Sequence, residues 1–402
     1  MIIIYITASL PYGPAEPFTV AEIEGLRRLG HRVTLIPMRP NGNAIHVPTG
    51  WRTDVITEKL MSFGIVWAAV KMLGASASKL FRVMALIAQS RSLGTLAKNA
   101  LVLPKAIWLA EIARGLKADH IHANWASCPA TIGLIASELS GIPWSFTGHR
   151  VDIQGNNLLT VKAERARFVR FISESGRDLA KSAGSLVAAQ RANVVHMGVA
   201  LPALSNPGVE QNERNRAQVV LCVANLVALK AHVDLLRAFR ILQDRSIHCE
   251  LWLAGDGPLR HSLETLVDSL DLAESVKFLG QLPHNEVIDL YRSQAITCAV
   301  LASLVEGIPV SLMEAMSYGV PVVATDVGGM RELLGGGCGV IVPPRNPEAL
   351  ADGIARILTD HNDRRNFATA GRKRIECEYA VDKNVVALSA LFENASVGAV
   401  VA

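Results

Sequence analysis

The stretch Leu301-Ala302-Ser303-Leu304-Val305-Glu306-Gly307-Ile308-Pro309-Val310-Ser311-Leu312-Met313-Glu314-Ala315-Met316-Ser317-Tyr318-Gly319-Val320-Pro321-Val322-Val323-Ala324 decides how the chain is read. Glu306 is its only charge before Glu314, and Gly307 and Pro309 follow at the point where a helix would begin. Proline is pre-shaped for the first helical position and has no N–H to leave unpaired there. Gly319 fits the helix stop, and residues 320–324 form a short apolar run of the kind buried in a parallel sheet. The reading is a loop bearing Glu306, a helix with Glu314 about one turn in, and a buried strand. A free helix start offers backbone N–H groups and a partial positive charge, which together favour an anion such as phosphate.

The same alternation extends in both directions. Residues 219–224 begin a sheet, Asn225 to Lys230 form the next loop, and 233–242 a helix. Lys230 thus stands at a strand's carboxyl end, just before a helix, where it could serve a phosphate; an ordinary surface lysine is the alternative. Residues 250–254 read as a strand ending in the turn Gly255-Asp256-Gly257-Pro258, and 276–282 and 295–301 as further strands. Past the opening stretch, residues 325–332 are a glycine loop entering a helix, a second candidate anion site. Residues 338–342 form the next strand, closed by Pro343-Pro344.

The first half alternates in the same way. Residues 2–6 are an apolar run expected of a strand buried on both faces. A loop with Gly13, Glu16 and Phe18 leads to a helix through Ile23, Leu26 and Leu29, stopped at Gly30, and residues 32–38 are the second strand. The loop lacks the G-x-G-x-x-G pattern, which argues against a dinucleotide dehydrogenase. Further strands are expected at 118–125, 144–153 with its exit, 171–175 and 194–199, which puts His149 at a strand's carboxyl end. Residues 205–218 lose periodicity and read as a linker. The fold class is therefore α/β, with two doubly wound domains expected to face each other across a cleft.

Length and composition agree with this. The 402 residues are enough for two domains, and half of them are hydrophobic. The net charge of +4 is too mild by itself to indicate a nucleic-acid partner. Six cysteines without a C-x-x-C pair form neither a zinc site nor a disulfide framework, and fit a reducing cytoplasm. The start has no basic region and reads as a strand, not a signal peptide. No apolar run is long enough to expect a membrane-spanning helix. From Lys59 to Ala110 there is no acidic residue, while Lys59, Lys71, Lys79, Arg82, Arg91, Lys98 and Lys105 alternate with apolar stretches. Such helices either lie on an anionic membrane surface or pack on the sheet with lysines outward; both readings stand at this point.

In sum the motifs resemble the retaining, nucleotide-sugar-dependent glycosyltransferases of family 4, which have the GT-B fold. The markers are Glu306 and Glu314 as an E-x7-E pair, Leu253-Ala254-Gly255-Asp256-Gly257-Pro258, Phe278-Leu279-Gly280, Gly319-Val320-Pro321-Val322-Val323-Ala324-Thr325 and Gly328-Gly329-Met330-Arg331-Glu332. In the first half, Glu16-Pro17-Phe18, His120-Ile121-His122-Ala123 and Ser145-Phe146-Thr147-Gly148-His149-Arg150-Val151-Asp152-Ile153 resemble the branch that builds exopolysaccharides of the colanic-acid kind.

The resemblance implies an acceptor-side Rossmann-like domain at 1–204, a linker at 205–218 and a nucleotide-sugar domain at 219–380. A C-terminal helix at 381–402 would pack back toward the first domain. It implies His149, Lys230 and Glu306 as catalytic residues. Gly307, Ile308, Val310, Glu314, Gly280, Gln281, Leu282, Asn225 and Gly13 would bind the donor, with no metal and no cofactor; no D-x-D sequence occurs. The implied activity is hexose transfer from a nucleotide-diphosphate sugar to a hydroxyl of a growing glycan, in the cytoplasm; a lipid-linked acceptor at the inner face of its membrane is the expectation that would explain the basic apolar stretch at 59–110. Two departures stand out. Asn225 occupies the place of the family's arginine, for which Arg331 or Arg150 are the expected replacements, and Ala231 replaces the glycine after Lys230. The rival readings are a GT-B epimerase, a sugar-phosphate synthase, and a catalytically silent scaffold of a polysaccharide assembly.

Overall fold

The computed structural model describes residues 1–12, 16, 18–44, 54–60, 62–75, 77–203 and 218–397. Gly13 and residues 205–217 of the expected linker therefore lie outside the described residues. The chain divides into two compact units, one formed by Met1–Gly198 with Val381–Ala402, the other by Val199–Ala380.

The first unit holds β1 (Ile2–Thr7), β2 (Arg32–Pro37), β3 (His120–Ala123), β4 (Trp144–Gly148), β5 (Phe168–Phe171) and β6 (Ala192–Val194) in one parallel sheet, ordered β2-β1-β3-β4-β5-β6. Side chains alternate across a strand, and β1 shows what this does here. Ile4 and Ile6 enter one core cluster, with residues of the helices Phe63–Ala75, Ala77–Ile87, Leu93–Gly115 and Cys128–Ser140. Ile3 and Tyr5 enter the other, with Ile23 and Leu26 of the helix Phe18–Arg28 and Val385, Leu388 and Phe392 of the helix Val381–Val397. The first and last helices are close: a Cβ on Gly25 would lie 2.8 Å from a Val385 methyl.

Two expected strands are displaced, and one residue explains both. The strand expected at 171–175 runs instead over Phe168–Phe171, and Ser173 caps the helix Glu174–Ser182 by accepting from Gly176 N at 3.0 Å. Arg170 lies inside this strand, a charge that breaks the apolar run in sequence. It is buried, paired with Glu22 of the Phe18 helix at 2.6 Å. Its Nε and a terminal nitrogen donate to the carbonyl oxygens of Val195 and His196 at 2.9 and 3.1 Å. Those carbonyls are satisfied by a side chain, and β6 ends at Val194 instead of running to 199.

The second unit repeats the architecture with β7 (Val219–Val223), β8 (Glu250–Ala254), β9 (Val276–Gly280), β10 (Cys298–Leu301), β11 (Val322–Thr325) and β12 (Val340–Val342), all parallel and ordered β12-β11-β10-β7-β8-β9. The opening stretch is loop, helix Val310–Ser317 and strand β11, with Gly319 at φ +72° ending the helix. Pro309 is the residue before the first helical position, with extended backbone, one place earlier than expected.

Candidate functional site

Strand order supplies the geometry that chain order hides. β7 and β10 are neighbours although β8 and β9 separate them in sequence. The chain proceeds from β7 to β8 and β9 on one side and returns to β10 on the other, so the winding reverses between β7 and β10. Open α/β sheets bind ligands outside the carboxyl ends of strands at such a switch point. Lys230 comes from the loop after β7, on the short turn Ala228–Lys230, and Glu306 from the loop after β10.

The two meet there. Lys230 Nζ donates to Glu306 Oε1, and Ser303 Oγ donates to the same oxygen at 2.7 Å. Their side chains are 25% and 11% exposed, so the pair is sheltered but reachable. Three further bonds fix the loops. Leu304 N donates to Leu229 O at 2.8 Å, Thr325 Oγ1 to Ser303 O at 2.5 Å, and Gly329 N to Gly307 O at 2.9 Å. Gly328 has φ +58°, and a Cβ there would lie 1.9 Å from the Glu306 carbonyl oxygen; only glycine permits this approach. Ala231 has φ +48°, a left-handed backbone that costs a side-chain-bearing residue roughly 1–2 kcal/mol and accounts for the glycine of the related motif. Behind Lys230, His232 is buried and its pKa falls to about 4, through burial first and the lysine's charge second.

Glu306 leads through Gly307 and the buried Ile308 into the helix Val310–Ser317, whose first N–H groups have no partner within the helix. Glu314 lies one turn further, 13% exposed, and accepts from His284 Nε2 at 2.7 Å. His284 opens the helix His284–Arg292, which follows β9 and the exposed Gln281. Through this bond the Gly280–Gln281–Leu282 segment, carried on the edge strand, is tied to the helix that follows β10. His284 was not among the residues expected from sequence; its place just after Pro283 and Leu282 was the available signal. Its hydrogen bond to Glu314 raises its pKa above the ordinary value. The pair therefore adds to stability below the unfolded histidine value near 6.5, and that contribution disappears as pH rises through the raised folded value. Titration of the His284 ring by NMR should give a pKa above 6.5 that returns to the ordinary value in Glu314→Gln; an unshifted His284 in the native protein would refute the pairing.

Asn225 is exposed at the end of β7. Arg331, one of the two expected replacements for the missing arginine, is exposed and its guanidinium pairs with Asp326 at 2.8 and 3.0 Å. Arg150, in the first unit, keeps Nε buried without a hydrogen-bond partner among the described residues.

The first unit has its own polar cluster at strand carboxyl ends. His149 follows β4, buried, with Nε2 donating to Asn124 O at 2.9 Å and its ring stacked 4.2 Å from Trp125. Burial, then the charge of Arg170, lower its pKa to about 3, so it is a neutral imidazole. Glu16 is buried, and its carboxylate accepts from the backbone N–H groups of Ala8, Ser9 and Leu10 at 2.8–3.1 Å and from the Trp125 indole. The amides of the loop after β1 thus hold the protein's own carboxylate. A cavity of about 340 Å³ in the second unit, lined by residues such as Gln218, His248, Glu250 and Ser275, lies at the amino ends of β7–β9 and has no lysine or arginine in its wall. It is placed and charged wrongly for a phosphate.

Comparison with known proteins bears on the family of the second unit and on the fold. Residues 209–374 match the family Glycosyl transferases group 1. An uncharacterized glycosyltransferase of Methanocaldococcus jannaschii is 31% identical over 176 residues, 44% of this chain and 43% of its own length. The amylovoran biosynthesis glycosyltransferase AmsK of Erwinia amylovora is 30% identical over 198 residues, 48% of each. The alignments thus span under half the length of both. The crystal structure of Anabaena HepE in complex with UDP superposes over 98% of this chain and 100% of that one, with a TM-score of 0.74 at 17% identity. That likeness makes the fold GT-B.

Proposed function

We propose, on the premise that residues 209–374 carry a group 1 glycosyltransferase domain, that the chain is a retaining hexosyltransferase. It moves a hexose from a nucleotide-diphosphate sugar to a hydroxyl of a lipid-linked glycan, in exopolysaccharide assembly of the colanic-acid kind at the inner face of the cytoplasmic membrane. The observation that carries this reading is the Lys230–Glu306 pair at the β7/β10 switch point, one loop away from a helix start. The amylovoran role of AmsK and the UDP held by HepE support the polysaccharide context and make uridine donors the first to test.

Donor cleavage expels a nucleoside diphosphate while positive charge develops on the sugar, so the growing negative charge must be met by groups already in place. Lys230 and the N–H groups after Gly307 are assigned that task, each charge-assisted contact contributing roughly 1.5–3 kcal/mol. An arriving diphosphate draws the ammonium from Glu306, whose carboxylate, still fixed by Ser303, then accepts from donor-sugar hydroxyls. Glu314 accepts from the ribose hydroxyls in exchange for His284, and the base rests near Gly280, Gln281 and Leu282. Residues 219–380 are the donor-binding part and 1–204 the acceptor-binding part. In the latter, the neutral His149, its Nε2 bonded to Asn124 O, is assigned a catalytic role.

Screening nucleotide sugars for thermal stabilisation tests the donor site. A true donor at a hundred times its Kd adds about 2.7 kcal/mol. With that donor and a lipid-linked acceptor, the new linkage should keep the donor's anomeric configuration by NMR. Isomerisation without any acceptor would mark an epimerase, and no stabilisation by any nucleotide sugar would overturn the assignment.

A further inference from the structure

The acid-free stretch has an outer face that the transfer chemistry does not use. The helices Phe63–Ala75, Ala77–Ile87 and Leu93–Gly115 turn Ile65 and Ala68, Val83 and Ile87, and Val102 and Ala106 into one core cluster. Their opposite sides are apolar as well. Phe63, Val66, Trp67 and Val70 are exposed at the i, i+3, i+4, i+7 spacing of one helical stripe, with Phe63 83% exposed. On the second helix Phe81, 75% exposed, Met84 and Ala85 repeat the i, i+3, i+4 spacing. On the third, Leu93, 84% exposed, Ala97 and Leu101 stand one turn apart. Monomeric proteins rarely leave so much apolar surface in water without a partner for it.

The charges beside these stripes are of one sign. Lys79, Arg82, Arg91 and Lys98 are exposed, and no Asp or Glu occurs between Lys59 and Ala110. Lys105 does not belong to this set. It is buried and donates to the carbonyl oxygens of Pro37, Met38 and Glu58 at 2.5, 3.0 and 2.7 Å, which anchors its helix from below. Among the described residues no helix is long and apolar enough to cross a membrane.

We propose that these three helices dock the first unit flat on an anionic lipid bilayer, the aromatic and aliphatic stripes entering the headgroup boundary and the cations meeting lipid phosphates. Helices of this composition bind through buried apolar area together with attraction to anionic lipid. Charge decides the occupant: a second copy of the same face would set cations against cations, whereas an anionic bilayer complements all of them. The proposal deepens the transferase reading by naming the surface that would hold the chain at the membrane which that reading invokes, and it rests on these helices alone, so either can fail without the other.

Flotation of the full chain with vesicles, in the absence of donor and acceptor, is the test. The protein should float with phosphatidylglycerol-containing vesicles at low salt, less at high salt, and least with phosphatidylcholine alone. The triple variant Phe63→Ser/Phe81→Ser/Leu93→Ser, and separately Lys79→Glu/Arg82→Glu, should each weaken vesicle binding at least about tenfold. Both should keep the hydrogen-exchange protection of β1 to β12 seen in the native protein, which reports an intact fold. Failure to float on anionic vesicles at low salt would overturn the proposal. So would a native dimer that the serine variant dissociates, because the face would then belong to a second copy.

Discussion

Lys230→Ala and Glu306→Ala are each expected to lower kcat/KM by roughly 10²–10³ or more, the scale of losing one preorganised charge-stabilising group. Both residues sit at the switch point and hold each other there. The two substitutions differ in what they leave behind. Without Lys230, Glu306 is a sheltered carboxylate with Ser303 as its remaining side-chain partner among those bonded to it here. Without Glu306, Lys230 is more exposed and recovers water. Lys230→Ala should therefore lower the melting temperature more than Glu306→Ala. The double variant Lys230→Met/Glu306→Gln separates structure from chemistry: it should regain most of the lost stability and none of the activity. Full transfer by either single variant would sink the assignment of both residues.

Arg170→Met carries the largest expected loss of stability. Arg170 and Glu22 are 1% and 6% exposed, and the carboxylate of Glu22 also accepts from Tyr5, whose hydroxyl pKa is raised by burial and by that negative charge. Breaking a buried pair by removing one partner leaves an uncompensated charge and costs about 3–5 kcal/mol. It would also strip the carbonyls of Val195 and His196 of their donors. Because the chain has two units, a single unfolding midpoint would blur the effect. Hydrogen exchange resolves it: peptides from β1, β5 and β6 should lose protection while those from β7 to β12 keep theirs. Arg170→Met/Glu22→Leu removes both charges and should recover much of the loss; equal protection in native protein and Arg170→Met would refute the role of the pair.

The parts of the fold legible in sequence were those written in local punctuation. Gly307, Pro309 and Gly319 bracket the helix Val310–Ser317, and the apolar runs of β1, β7 and β11 are short, continuous and bounded. Illegible were features that depend on residues far apart in the chain. That β10 lies beside β7, bringing Glu306 to Lys230, follows from sheet order and leaves no mark near either residue. Arg170 interrupts the apolar run in sequence while its partner, Glu22, lies on another element, so the strand was expected at 171–175, after the charge, whereas it ends at Phe171. Lys105 was grouped with surface cations for the same reason. The bond from His284 to Glu314 crosses two helices, so the reading that stopped at Leu282 missed the residue that connects this loop to the site.

The first unit is assembled from the two ends of the chain, and this has a consequence in time. The ribosome releases Phe18–Arg28 early, yet the helix that covers it, Val381–Val397, emerges only after the whole of residues 199–380. Until then Ile3, Tyr5, Ile23 and Leu26 lack their apolar cover and Phe392 is not yet against the rings of His120 and His122. Residues 199–380 hold all the described strands of their own sheet before that helix is made. The unit begun first is thus closed only after the other, and until then one face of its sheet stays uncovered during translation.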